Sequence, residues 1–159
     1  MVFLIDHHDG SCCYTEKNNG KSIIFDPETP FFKYEDMHDR VKVRETEIKL
    51  FIDEVCSNAY LQTLGFSDKA CLDTSKLVMA GHSMGGATAL RVGNSDDRVS
   101  CVLTHDPWLF PLYKEILDGS FCSFTDKNMF ILNTSSFFGM MPGFDGQKMK
   151  DKLVSGMDS

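Results

Sequence analysis

Read for its apolar and polar positions, the chain resolves into short apolar runs separated by turn-formers, with one long stretch of helical period. Val2-Phe3-Leu4-Ile5, Leu77-Val78-Met79-Ala80, Val99 to Thr104 and Met129 to Asn133 are runs of the kind that form strands covered on both faces in a parallel sheet. They predict strands near 2–5, 77–80, 99–104 and 129–133, with Ser22 to Phe25 as a further short strand. From Arg40 to Gln62 the period changes. Ile48, Phe51, Ile52, Val55 and Ala59 fall on one face of a helix, while Lys42, Glu45, Lys49, Asp53 and Glu54 lie mostly off it, so the helix should pack on a sheet. Shorter helices are expected over Ala87 to Gly93 and near Gln147 to Val154. Recurring strand, turn and helix units imply an α/β fold, a mostly parallel sheet with helices on both faces. Residues 12–40 are the least regular: Asn18-Asn19-Gly20 marks a turn, and Pro27 and Pro30 interrupt the segment beyond Phe25. There Phe31, Phe32 and Tyr34 either line an apolar channel or tie the segment to the core.

Composition narrows this picture. With 159 residues, 42% of them hydrophobic, the chain has material for one core and little for a second domain. The 16 basic and 23 acidic residues, net −7, argue against nucleic acid or an anionic membrane held by bulk charge and leave a neutral or zwitterionic small substrate open. The opening apolar run meets Asp6 after five residues and has no basic flank, so it reads as neither a secretory signal nor a membrane span. Six cysteines at irregular spacing, with no C-x-x-C and no Cys and His pair at zinc spacing, are expected to be mostly free thiols. Cys56 on a helix and Cys101 on a strand would act as small hydrophobes. His7, His8 and Asp9 occupy a loop after the first strand, where ligands of a parallel sheet bind. They read as residues near a cleft rather than as metal ligands, and no metal or cofactor is implied.

The candidate chemistry lies in Gly81-His82-Ser83-Met84-Gly85, which fits the G-x-S-x-G nucleophile elbow between a strand and a helix. Glycines flanking the serine avoid Cβ clashes in so tight a turn. Ser83 is then the nucleophile, and the backbone N–H of Met84 points at any oxyanion formed there. In His105-Asp106-Pro107-Trp108, Pro107 lacks a backbone donor and should hold Asp106 extended, ending the strand with its carboxylate on the same sheet edge as Ser83. Ser then acid is the α/β-hydrolase order, but no histidine follows Asp106. His82 should point away from the serine, and His105 should project to the face opposite Asp106. None of the five histidines occupies the expected place of a base.

Three blocks in order carry a family resemblance. Asp6-His7-His8-Asp9-Gly10-Ser11, Gly81 to Thr88 and Asp106-Pro107-Trp108-Leu109-Phe110-Pro111-Leu112 resemble the loop, elbow and acid-bearing turn of the platelet-activating factor acetylhydrolases. These are calcium-independent serine esterases of the α/β-hydrolase fold that remove short or oxidised sn-2 acyl groups from phospholipids. The third block is the more specific, because the elbow is shared widely among hydrolases. The resemblance implies Ser83 as nucleophile, Asp106 as triad acid and Met84 as an oxyanion donor through its main chain, where the family commonly has Phe. His8 replaces the family's usual Arg. Trp108, Phe110 and His7 are candidates for lining the substrate side; for Trp108, core packing is the equal alternative.

By the same resemblance the chain is a single partial α/β-hydrolase domain over residues 1–159, incomplete at both ends. The early strands with the His-Gly loop that supplies a second oxyanion donor, and the last strand with the triad histidine, have no counterpart in it. The implied function is therefore that of the parent esterase, with these residues alone expected to be inactive. The implied partner is a phospholipid, with peripheral contact to a lipid surface, no nucleic acid and no transmembrane segment; the oligomeric state is open. The compartment expected is the cytoplasm, with secretion as the alternative. Two other functions fit the same residues: a catalytically dead hydrolase-like module that binds lipid or protein, and a dienelactone-hydrolase-like carboxylesterase.

Overall fold

A computed structural model describes residues 1–25, 27–28, 33–121, 127–135, 137 and 143–155. Tyr14–Glu16 (β1) and Ser22–Ile24 (β2) form an antiparallel hairpin whose turn is closed by Gly20 N–H donating to the Lys17 carbonyl, with Gly20 at φ 77°. The helices Tyr34–Val55 (α1) and Asn58–Thr63 (α2) come next. Leu77–Ser83 (β3), Met84–Ser95 (α3), Val99–Pro107 (β4), Tyr113–Asp118 (α4), Asn128–Leu132 (β5) and Gly146–Ser155 (α5) complete the order. β3, β4 and β5 pair in parallel, in that sequence, so each strand's carboxyl end lies on one edge. The chain has the α/β-hydrolase-like architecture expected, a parallel sheet flanked by helices.

The core lies between the sheet and the helices α1 and α3. Ala87, Ala89, Leu90 and Val92 of α3 cluster with Val99 and Val102 of β4 and with Val41, Ile48 and Ile52 of α1. Each such aliphatic side chain larger than alanine contributes about 1.5–3 kcal/mol when fully buried, so apolar burial rather than surface pairing seats α1 and α3. Polar residues fix the rest: Arg91 of α3 bonds to Glu45 of α1 and Glu115 of α4, and Lys127 donates to the carbonyls of Gly93 and Asp96 at the end of α3. Among the described residues the helices cover one sheet face. On the other, Val78, Leu103, Phe130 and Leu132 are exposed.

Several expectations need correction. Residues 2–5 form no strand: Val2 and Leu4 are 86% and 95% exposed, while Phe3 packs edge-on against Phe51 and Ile5 rests on the core. Their period is two and one-faced. Without a neighbouring strand to satisfy its backbone, an apolar run is only an extended segment. The long helix begins at Tyr34, with Glu35 and Asp36 in its first turn favouring the helix dipole, and it ends at Val55. Ser57 is extended and starts α2, which rotates Ala59 out of the predicted face and leaves it exposed. Cys56 is exposed rather than a small core hydrophobe, and Cys12, Cys13, Cys56, Cys71 and Cys101 are free thiols. Phe31 and Phe32 lie outside the described residues.

Candidate active site

The elbow is built by close approach. A Cβ on Gly81 would stand 2.1 Å from the Gly85 carbonyl oxygen, and one on Gly86 would stand 2.8 Å from Pro107 Cα. Gly81 lets β3 turn directly into α3, and Gly86 lets α3 lie against the end of β4. Gly85 meets nothing within 4 Å, so the steric role expected of the second flanking glycine belongs to Gly86 instead. Ser83, between them, has φ 53° and ψ −120°, a sparsely populated conformation that costs about 1–3 kcal/mol and persists because its surroundings over-determine it. A serine before a helix ordinarily caps it through its hydroxyl; the Ser83 side chain makes no cap bond. Met84 is the first residue of α3, so its N–H belongs to the unsatisfied donors of that helix end.

Asp106 stands beside the elbow. Ser83 pairs with Pro107 in the register, and the Trp108 N–H donates to the Ser83 carbonyl at 2.9 Å, tying the acid-bearing turn to the elbow. Asp106 is buried, and its backbone is not extended as the following proline suggested: φ is 45°. Aspartate tolerates the left-handed region better than most side chains. Two bonds from beyond β5 compensate: the Thr134 N–H donates to Asp106 Oδ1 at 2.6 Å and the Thr134 hydroxyl to Oδ2 at 2.8 Å. Burial pushes the Asp106 carboxyl up, but the Thr134 bonds, with the nearby His105 and His82 imidazoles, outweigh it and hold the group below its ordinary range.

The histidines are spread over the molecule. His82 and His105 stand side by side, ring centroids 5.1 Å apart, both exposed on the sheet face left bare by the helices. The reversal at Asp106 brings His105 Nε2 to 3.4 Å from Asp106 Oδ2, closer than strand alternation implied. His38 Nδ1 meets the Pro111 carbonyl at 2.9 Å. His7 faces α1, its Nδ1 2.8 Å from Glu47 Oε2, and the other Glu47 oxygen accepts from the His8 N–H. From α1, Arg44 bonds to Asp9 and Ser11 of the same loop. Burial raises the Asp9 carboxyl, but Ser11 and Arg44 bring it below its ordinary value. Trp108 is buried and stacks on half-buried Phe110, itself stacked on Tyr113. No cluster of three or more His, Cys, Asp or Glu suited to a metal occurs among the described residues. No described helix is long and apolar enough to cross a membrane.

A sequence profile for platelet-activating factor acetylhydrolase, isoform II, matches residues 1–155. The chain belongs to this family. Curated relatives include the platelet-activating factor acetylhydrolase of Cavia porcellus, 42% identical over 48 residues, which cover 30% of this chain and 11% of that protein. Those of Bos taurus and Canis lupus familiaris are 32% and 33% identical over 69 residues, 43% of this chain and 14% of each. The matched stretches thus span a small part of each acetylhydrolase's length. Within this platelet-activating factor acetylhydrolase family member, the sequence motifs bring Ser83, Met84 and Asp106 to one sheet edge and turn His7 toward α1. Motif reading missed Thr134, Arg44 and Glu47. The only sequence signal for Thr134 is its place just past the end of the strand next to Asp106; Arg44 and Glu47 read as ordinary charges on a helix.

Proposed function

We propose that this chain carries the nucleophile and acid of a calcium-independent serine esterase acting on phospholipids with short or oxidised sn-2 acyl groups, the 1-alkyl-2-acetylglycerophosphocholine type. The observation that supports this best is the left-handed Ser83 at the end of β3, joined through the Trp108 N–H to the turn that presents Asp106 at the end of β4. In this reading Ser83 Oγ attacks the sn-2 carbonyl carbon and the carbonyl oxygen takes up negative charge facing the Met84 N–H. A base takes the Ser83 Oγ proton and passes it to the lysophospholipid oxygen as the bond from that oxygen to the acyl carbon breaks; water, giving a proton to the same base, then attacks the acyl carbon and releases the carboxylic acid from Ser83. Asp106 would orient and stabilise a protonated histidine base. That base is the part of the triad that none of the five histidines is proposed to supply, so the 159 residues alone should work far below a complete triad. Loss of one triad member leaves roughly 10³–10⁴ over water where the oxyanion hole is whole, so with Met84 as the one donor identified the residual rate expected here is lower still. The reading extends to peripheral contact with a lipid surface and a cytoplasmic location.

Acetate release from a 2-acetyl glycerophosphocholine, set beside a long-chain sn-2 analogue and a simple acetyl ester, tests the proposal. Slow release from the 2-acetyl phospholipid above the other two, abolished by Ser83→Ala, is the expected outcome. Saturable phospholipid binding without release, unchanged in Ser83→Ala, would overturn it in favour of a binding module. Preference for the simple ester would favour a general carboxylesterase.

A further inference from the structure

We propose that Thr134 is a positioning residue for the candidate acid, holding the Asp106 carboxylate in one orientation at the carboxyl edge of the sheet. This rests on the esterase reading of Ser83 and Asp106. β5 ends at Leu132, and the chain crosses toward β4 so that Thr134 offers two donors to one carboxylate. Its N–H meets Oδ1 and its hydroxyl meets Oδ2, one donor on each oxygen, which fixes both the torsion and the plane of the group. A carboxylate offers about four lone-pair positions, so this clamp uses half and leaves a face of each oxygen for a ring N–H of a base. The need for a clamp comes from the backbone. Asp106 is held left-handed before a proline, and neither strand pairing nor the proline ring fixes its side chain. The titratable groups facing it are His105, at 3.4 Å from Oδ2, and His82 behind His105. Thr134 itself is exposed, so it can be changed without opening a core cavity.

Two variants of the full chain separate the hydroxyl from the fold. Thr134→Val keeps the shape and the backbone N–H but removes the hydroxyl donor; Thr134→Ser keeps the donor. The first readout is the carboxyl titration of Asp106 by carbon NMR, and the second is the Asp106 side-chain torsion from its three-bond couplings. Thr134→Val is expected to raise the Asp106 titration midpoint, weakening the acid by roughly tenfold, the scale of one lost hydrogen bond to a charged group, and to spread the side chain over more than one rotamer. Thr134→Ser should restore the titration within about twofold and the single rotamer with it. An unchanged titration in Thr134→Val would overturn the clamp. A shifted titration with an unchanged torsion would overturn the positioning role. Fluorophosphonate labelling of the wild-type chain keeps the two readings apart: a shifted titration in a chain whose Ser83 takes up no label would leave the clamp standing and overturn the esterase reading.

Discussion

The elbow at Ser83 and the loop at residues 6–11 are both places where the chain reverses at the end of an apolar run, yet they are held by different physics. The elbow is fixed by exclusion: Gly81 and Gly86 stand where no side chain fits, and the helix after it is locked into the apolar core. The loop is fixed by charge, through Arg44 on Asp9 and Ser11 and through Glu47 on His7 and His8. At Gly81 the exclusion acts within the elbow itself, against Gly85 and Gly86, while at Gly86 it reaches across to Pro107 at the end of β4. The charge network reaches from the loop to residues on α1 that only the fold brings near. An elbow of the first kind should fail abruptly when a single methyl is added, and a loop of the second kind should fail gradually, with pH and salt.

The largest expected effect breaks the elbow. Gly81→Ala should destabilise the chain by about 3 kcal/mol or more, read from urea unfolding, because its Cβ has only backbone atoms to displace. Ser83 labelling should disappear with it. Arg44→Ala comes next, at about 3 kcal/mol, since it leaves the Asp9 carboxylate, whose side chain is fully covered, without its cation. A smaller effect comes from the direction of the Asp9 shift. A carboxyl held below its unfolded value contributes stability that is complete above about pH 4 and is lost as pH falls through the folded value. The stability difference between wild type and Asp9→Asn should therefore shrink between pH 6 and pH 3 in urea titrations; a constant difference would show that the loop is not held by that charge. Smallest, and opposite in sign to Gly81→Ala, Gly85→Ala should stabilise the chain by about 0.5–1 kcal/mol, because it adds a helix-favouring methyl where nothing stands in its way. Loss of stability there would mean that both flanking glycines are sterically required.

The contrast also explains which parts of the molecule were legible in the sequence. The three paired strands, the Asn18-Asn19-Gly20 turn and the elbow are set by local pattern, and each lies close to where the residues placed it. The run at residues 2–5 carries the same local signal and forms no strand, since pairing depends on a neighbour that the pattern cannot report. Pro107 predicted an extended Asp106, but the tertiary bonds from Thr134 and the link from Trp108 to Ser83 hold it reversed. Nothing in the sequence separates Arg44 from the other charges of an amphipathic helix; its burial depends on Asp9, far away in sequence. Of the candidate site, Ser83, Met84 and Asp106 were visible because motif and strand ends coincide. Thr134 was not, because its role exists only where β4 and β5 end together.

If the strained Ser83 is a nucleophile poised by its own elbow, it should react where ordinary serines do not. Mass-spectrometric mapping of fluorophosphonate adducts on the 159-residue chain reads this without any substrate. An adduct on the peptide holding Ser83 is expected, slow to form, absent from Ser83→Ala and absent from the other serines at matched dose. No adduct at Ser83, or one that forms equally on exposed serines elsewhere, would mean that the elbow confers no special reactivity.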